Sequence, residues 1–206
     1  MLSIATGLIM LVGSYGTPDE TNFRTYTFNT ESGTIVPIDS IAGLSNPSFL
    51  AVADKGETVF AVNENDSYGD SELTMLRKDG ADGHYVPVSR QMVIGKNPCH
   101  VAVAPNGEYV VTANYGSGSI SVFKFKGADK LLEKPRVVKF SGQSVDSIRQ
   151  SMPIPIAPLS LPTASLWLSP ILAPTVSTSF HSITMEMWIS PECLTCRLVP
   201  ASDRAI

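Results

Sequence analysis

Through residues 1–150 the chain alternates short apolar runs with polar turns, and no stretch shows the spacing of an amphipathic helix. Two of these run–turn–run units repeat without a gap. Asn46 to Glu64 reads NPSFLAVADKGETVFAVNE, and 51 residues further on Asn97 to Tyr115 reads NPCHVAVAPNGEYVVTANY. The Asn-Pro pair, the first apolar run, the turn glycine (Gly56, Gly107), the second apolar run and an asparagine (Asn63, Asn114) fall in register. A period of this size, built on two short strands about a tight turn, is the signature of a β-propeller blade.

The pattern predicts strands at Ile9–Tyr15, Phe23–Asn29 and Thr34–Ile41. One blade follows at Ser48–Ala53, Thr58–Asn63, Leu73–Arg77 and Tyr85–Ile94. Another follows at Cys99–Ala104, Glu108–Asn114, Ser119–Phe125 and Arg136–Phe140. Asp54-Lys55-Gly56 and Pro105-Asn106-Gly107 read as hairpin turns in which glycine supplies the positive φ. The Asn-Pro pairs Asn46-Pro47 and Asn97-Pro98 read as blade-to-blade turns, because proline fixes φ there. The opening run MLVGSY aligns with the second strand of each later repeat, so the chain enters inside a blade that lacks its inner strand. The fold class is therefore all-β, a β-propeller arc of about three blades over residues 1–150.

The character of the chain changes near residue 151. All fifteen glycines lie before that point, and residues 151–206 hold eight prolines, no lysine and five charged residues. This tail is too apolar for a disordered segment, with Leu159, Leu161, Leu166, Trp167, Leu168, Ile171 and Leu172 crowded together. Codon degeneracy offers another origin. Read one base back with permitted wobble choices, the segment after residue 152 comes to contain HPHCAVISPDGKFVVVSDLG, a third copy of the repeat at Pro98–Gly116. Residues 151–206 are thus expected to be an out-of-frame, irregular tail, with the break close to Gln150–Met152.

Composition narrows the setting. A formal charge of −4 and a pI near 5.3 give no reason to expect a nucleic acid or an anionic membrane as partner. Cys99, Cys193 and Cys196 form no disulfide framework, which makes a reducing, cytoplasmic compartment the default. The apolar opening MLSIATGLIMLVGSY resembles a weak signal-peptide core. It lacks a basic flank and a small-x-small cleavage site, and a strand over Ile9–Tyr15 accounts for it. Cys193-x-x-Cys196 is half of a metal or redox pair with no second half, and no Walker loop, zinc signature or serine elbow occurs. No metal and no cofactor are expected.

Strands one and two of a blade run antiparallel, so the start of the first and the end of the second share one face of the ring. His100 begins a first strand. Asn63-Glu64 and Asn114-Tyr115 end second strands, and Tyr15 is their counterpart in the opening blade. These residues are expected to converge on one mouth of the arc. A plainer reading stands beside this one: His100 hydrogen-bonds a neighbouring blade, Glu64 makes a loop contact, and Cys99 is a small buried hydrophobe.

LVGSY, NPSFLAV…FAVNEN and NPCHVAVAPNGEYVVTANYGSGSISVFKF together resemble the 6-phosphogluconolactonase-like lactonases, which are seven-bladed propellers. The resemblance covers about residues 9–150. It implies hydrolysis of a sugar lactone, with 6-phosphogluconolactone of the pentose phosphate pathway as the reference substrate, and no cofactor. Such chemistry needs a base for water and donors for an oxyanion and hydroxyls. His100 or Glu64 is the candidate base, and Asn63, Asn114, Tyr115 and Tyr15 are candidate substrate ligands. Three blades hold only part of such a mouth, so the chain as encoded is expected to be inactive. A non-catalytic interaction scaffold is the alternative, because a propeller fold alone implies no chemistry.

The frame expectation has a direct check. Sequencing the gene across codons 148–156 is expected to show an inserted or missing base, and an intact frame contradicts it.

Overall fold

The computed structural model describes residues 7–66, 70–105, 107–126, 130–131 and 134–140, together with the backbone of 154–160, 166–172, 183–189 and 194–199. Strands β1 (Gly7–Gly13), β2 (Phe23–Asn29) and β3 (Ile35–Ile41) form a three-stranded antiparallel meander. Strands β4 (Leu50–Ala53), β5 (Thr58–Asn63), β6 (Glu72–Lys78) and β7 (Tyr85–Met92) form a complete four-stranded blade. A third blade holds β8 (Pro98–Val103), β9 (Tyr109–Asn114) and β10 (Ser119–Lys126). Its outer edge is split between β11 (Lys130–Leu131) and β12 (Arg136–Lys139), both paired with β10. Among the described residues the opening blade shows three strands.

In the second and third blades the apolar runs are continuous because the second strand is covered on both sides, whereas β1, its counterpart in the opening blade, is exposed to half-buried. All six residues of β5 and all six of β9 are buried. Side chains alternate between the faces of a strand. In β5, Phe60 and Val62 join a core with Leu73, Met75, Val101, Val110, Phe123 and Phe125, between the second and third blades. Val59 and Ala61 join the other core with Phe23, Leu44, Leu76 and Tyr85, between the first and second blades. Phe60 and Phe125 meet edge to face, with ring centroids 5.4 Å apart. One strand thus cements two interfaces.

The Asn-Pro pairs do more than turn the chain. Asn46 and Asn97 both sit at φ 47°, a left-handed conformation that asparagine tolerates better than most residues. Each receives a backbone bond from the end of its own blade's second strand: Glu64 N–H to Asn46 O at 3.0 Å, and Tyr115 N–H to Asn97 O at 2.9 Å. Each also donates to the preceding blade: Asn46 N–H to Gly16 O at 3.2 Å, and Asn97 N–H to Asn65 O at 2.7 Å. The Asn46 side chain doubles the link, accepting from Gly16 N at 3.0 Å and donating to Glu64 O at 3.1 Å. Gly13 allows the close approach, since a Cβ there would stand 1.9 Å from Pro47 O.

The turns differ in detail from the simple hairpins of the sequence pattern. Asp54, Lys55 and Gly56 form a single 3-10 turn, and Asp54 and Lys55 share positive φ with the glycine. Gly107 also has positive φ, while Asn106 lies outside the described residues.

The tail requires a correction, because its backbone is not irregular throughout. Strands β13 (Ile154–Ser160), β14 (Leu166–Leu172), β15 (Ile183–Ile189) and β16 (Leu194–Val199) pair in order as an antiparallel sheet, and β13 runs beside β8 and β9. Runs such as LWLSPIL and ITMEMWI are rich in strand-favouring residues, and the third blade offers the sheet's first strand, β13, a neighbouring sheet.

The two-sided burial of β5 predicts a large cost for Phe60→Ala, about 3–5 kcal/mol in denaturant unfolding. Val86→Ala, at an exposed position of β7, is expected to change stability by less than about 0.5 kcal/mol.

Candidate active site

The repeat register stacks equivalent residues around the mouth. Asn46 matches Asn97, Ser48 matches Cys99, and Phe49 matches His100; Tyr15, Glu64 and Tyr115 are likewise equivalent. Neighbouring blades bring such equivalents into contact. The Tyr15 hydroxyl donates to Glu64 Oε2 at 2.8 Å, joining the first blade to the second. Phe49 and His100 lie ring on ring, centroids 4.0 Å apart and tilted by 33°. The Ser48 hydroxyl, from the turn into β4, also donates to Glu64 Oε2. Glu64 is therefore gripped by two hydroxyl donors on one oxygen, and its backbone N–H is tied to Asn46 O.

This cluster borders a cavity of about 700 Å³ whose lining includes Tyr15, Asn63, Glu64, Glu72 and Arg90. Asn63 is almost fully buried. Its Nδ2 donates to Glu72 Oε2 at 3.4 Å, while its Oδ1 has no partner among the described residues. Arg90 stands 4.0 Å from Glu72 and is the one cation in the described lining, which also holds the carboxylates of Glu64, Asp66 and Asp70.

Electrostatics separate the groups. The hydrogen bond to Glu64, then burial and the Glu64 charge, raise the Tyr15 phenol above its ordinary pKa. Burial, reinforced by the Glu64 charge, raises the Cys99 thiol, which keeps it protonated at neutral pH. Burial lowers the His100 imidazole, so it is neutral at pH 7. Among the described residues no group of His, Cys, Asp and Glu side chains is arranged to hold a metal ion.

The sequence-predicted residues separate accordingly. Tyr15 and Glu64 meet directly, and Asn63 lines the same cavity. Tyr115 is exposed at the end of β9, tied by its backbone to Asn97. His100 is half-buried beside Phe49, outside the cavity lining, with its Nδ1 enclosed and unpaired among the described residues. Asn114 is a correction: it does not reach the mouth. It is fully buried, accepts from Thr112 Oγ1 at 3.0 Å and donates to Ser119 Oγ at 3.1 Å and Ser121 Oγ at 3.0 Å. The two-sided burial of β9 spends its amide inside the third blade. A Cβ at Gly95 would stand 2.6 Å from that amide nitrogen.

Ser48, Asn46 and Arg90 escaped the sequence reading. Ser48 opens the predicted strand Ser48–Ala53, where the pattern marks it as a strand residue and not as a site residue. Its match to Cys99 in the next blade's inner strand was the available signal.

Comparison with known proteins fits this geometry. Residues 9–157 match the family profile described as lactonase, 7-bladed beta-propeller. The 6-phosphogluconolactonase of Formosa agariphila is 24% identical over 137 residues, covering 66% of this chain and 39% of that protein. The 6-phosphogluconolactonase of Bacillus subtilis is 27% identical over 130 residues, covering 63% and 36%. The chain thus spans well under half the length of these curated relatives. A Bacteroides fragilis structure, provisionally named a 6-phosphogluconolactonase, superposes with a TM-score of 0.80 at 28% identity over 93% of this chain and 53% of that one. The Pseudomonas aeruginosa periplasmic gluconolactonase gives 0.77 at 24% identity over 94% and 55%. With its blade register, its mouth and a profile match across most of its length, the chain belongs to the lactonase family of seven-bladed β-propellers.

Proposed function

We propose that this mouth is part of the active site of a sugar-lactone hydrolase acting on 6-phosphogluconolactone. The observation that carries the reading is Glu64, a carboxylate fixed by two donors at the rim of a polar cavity of about 700 Å³. Oε2 is occupied, and no described residue donates to Oε1. Oε1 then takes a proton from water as the water oxygen bonds to the lactone carbonyl carbon. The tetrahedral oxyanion collapses, the bond from that carbon to the ring oxygen breaks, and the ring oxygen recovers the proton from Glu64. The product is an open-chain hydroxy acid, which for this substrate is 6-phosphogluconate, a step of the pentose phosphate pathway.

Asn63 and Tyr15 line the cavity and supply polar groups for sugar hydroxyls, exposed Tyr115 is a further candidate outside the described lining, and Arg90 is the described cation within reach of a phosphate. Neutral His100 is the second candidate base, though its enclosed Nδ1 favours Glu64. The reaction needs no cofactor or metal, and the reading places it in the cytoplasm with a small-molecule lactone as partner. No described helix is long and apolar enough to cross a membrane.

On a closed ring carrying these residues, Glu64→Gln is expected to lower kcat for 6-phosphogluconolactone about 100-fold or more. His100→Ala does the same only if His100 is the base. Lactone opening followed by proton release is the assay. Turnover by the parent with full activity in Glu64→Gln contradicts the assignment of the base. Binding of lactone without turnover in the parent points to the interaction scaffold. The 206-residue chain alone is expected at background.

A further inference from the structure

We propose that Ser48, together with Tyr15, is a positioning residue that holds Glu64 by its Oε2 and turns Oε1 toward the cavity. This rests on the reading of Glu64 as the base, yet its geometry stands apart from it. Both hydroxyls donate to the same oxygen, and Glu64 Oε1 receives no described donor. A glutamate side chain left alone samples several rotamers, and only some would present Oε1 to a water in the cavity. Two donors on one oxygen, from different segments, select one of them. A third tie sets the backbone, with Glu64 N–H on Asn46 O at 3.0 Å.

The arrangement spans two blades. Ser48 belongs to the same blade as Glu64, whereas Tyr15 comes from the end of the opening one. The aim of Glu64 therefore depends on how the two blades are docked. The other titratable groups around it are Cys99 from β8 and the cavity's Asp66, Asp70, Glu72 and Arg90. Ser48 and Glu64 act on Tyr15 in opposite directions. The bond to Glu64 raises the phenol pKa, and a side-chain hydrogen bond between Ser48 and the Tyr15 hydroxyl lowers it. That opposition gives a readout independent of turnover.

The test is an ultraviolet titration of phenolate formation in the 206-residue chain, with the Tyr15→Phe variant subtracted to isolate Tyr15. Tyr15 is expected to titrate above an ordinary tyrosine. Ser48→Ala is expected to raise its midpoint further, because the Ser48 hydrogen bond that lowers the phenol pKa is lost while the bond to Glu64 remains. Ser48→Thr keeps the hydroxyl and is expected to restore the wild-type midpoint, while Glu64→Gln is expected to lower it. A Ser48→Ala midpoint equal to wild type, or a Ser48→Thr midpoint equal to that of Ser48→Ala, overturns the proposal. Should Ser48→Ala fail to fold, Glu64→Gln carries the test, and no fall in the midpoint overturns the unit. On a closed ring, Ser48→Ala should also lower kcat about tenfold or more with KM unchanged, and Ser48→Thr should recover it. Absence of lactone turnover in the parent would remove the functional reading and leave the titration to decide the positioning.

Discussion

Burial of both faces of the second strand in the second and third blades, β5 and β9, is the constraint on which the rest of this structure depends. β5 has no solvent side: Phe60 and Val62 serve one interface, and Val59 and Ala61 serve the other. Neither set is buried by a blade on its own, so each blade is stable only between neighbours. The mouth inherits this dependence. Tyr15 comes from the first blade, Ser48 and Glu64 from the second, and Cys99 and His100 from the third. Apolar packing between sheets sets where these polar groups meet, and the Asn46 and Asn97 links fix the angular step from blade to blade.

Much of this was legible in the sequence because the repeat states it twice. The 51-residue offset that aligns Asn46 with Asn97 also aligns their left-handed φ of 47° and their matching backbone bonds to the strand end and to the preceding blade. The strand order and most strand boundaries follow from the runs themselves. The site was legible only in part. Register says which residues share an end of a blade, but not which way each side chain points. Asn63 and Asn114 are sequence equivalents at the ends of β5 and β9. Asn63 lines the cavity, while the amide of Asn114 is consumed by Thr112, Ser119 and Ser121. The difference lies in the third strand, where β10 offers two serine hydroxyls and β6 offers Glu72. The strands of the tail escape the sequence pattern for a related reason. Loss of glycine turns argued against regular structure, yet its apolar runs find strand pairing beside the third blade.

The columns of equivalent residues also explain why this site is asymmetric. A ring of identical blades would present the same side chain at each step. Here Tyr15, Glu64 and Tyr115 occupy equivalent positions, and so do Phe49 and His100. Substituting one member of a column places an acid on the Tyr15 phenol, or an imidazole beside a phenyl ring. The shared backbone frame holds the position, and the local substitution sets the chemistry. That division explains how a repetitive fold acquires one differentiated carboxylate without disturbing its packing.

The central claim is that neighbouring blades bring sequence-equivalent residues into contact. Nuclear Overhauser effects between the rings of Phe49 and His100 test it most directly, since neither residue is a sequence neighbour of the other and their centroids lie 4.0 Å apart. The account predicts strong cross-peaks between the two rings and ring-current-shifted imidazole protons that return to ordinary positions in Phe49→Leu. Their absence in the folded protein, or imidazole shifts unchanged by Phe49→Leu, would contradict the register on which the whole site is built.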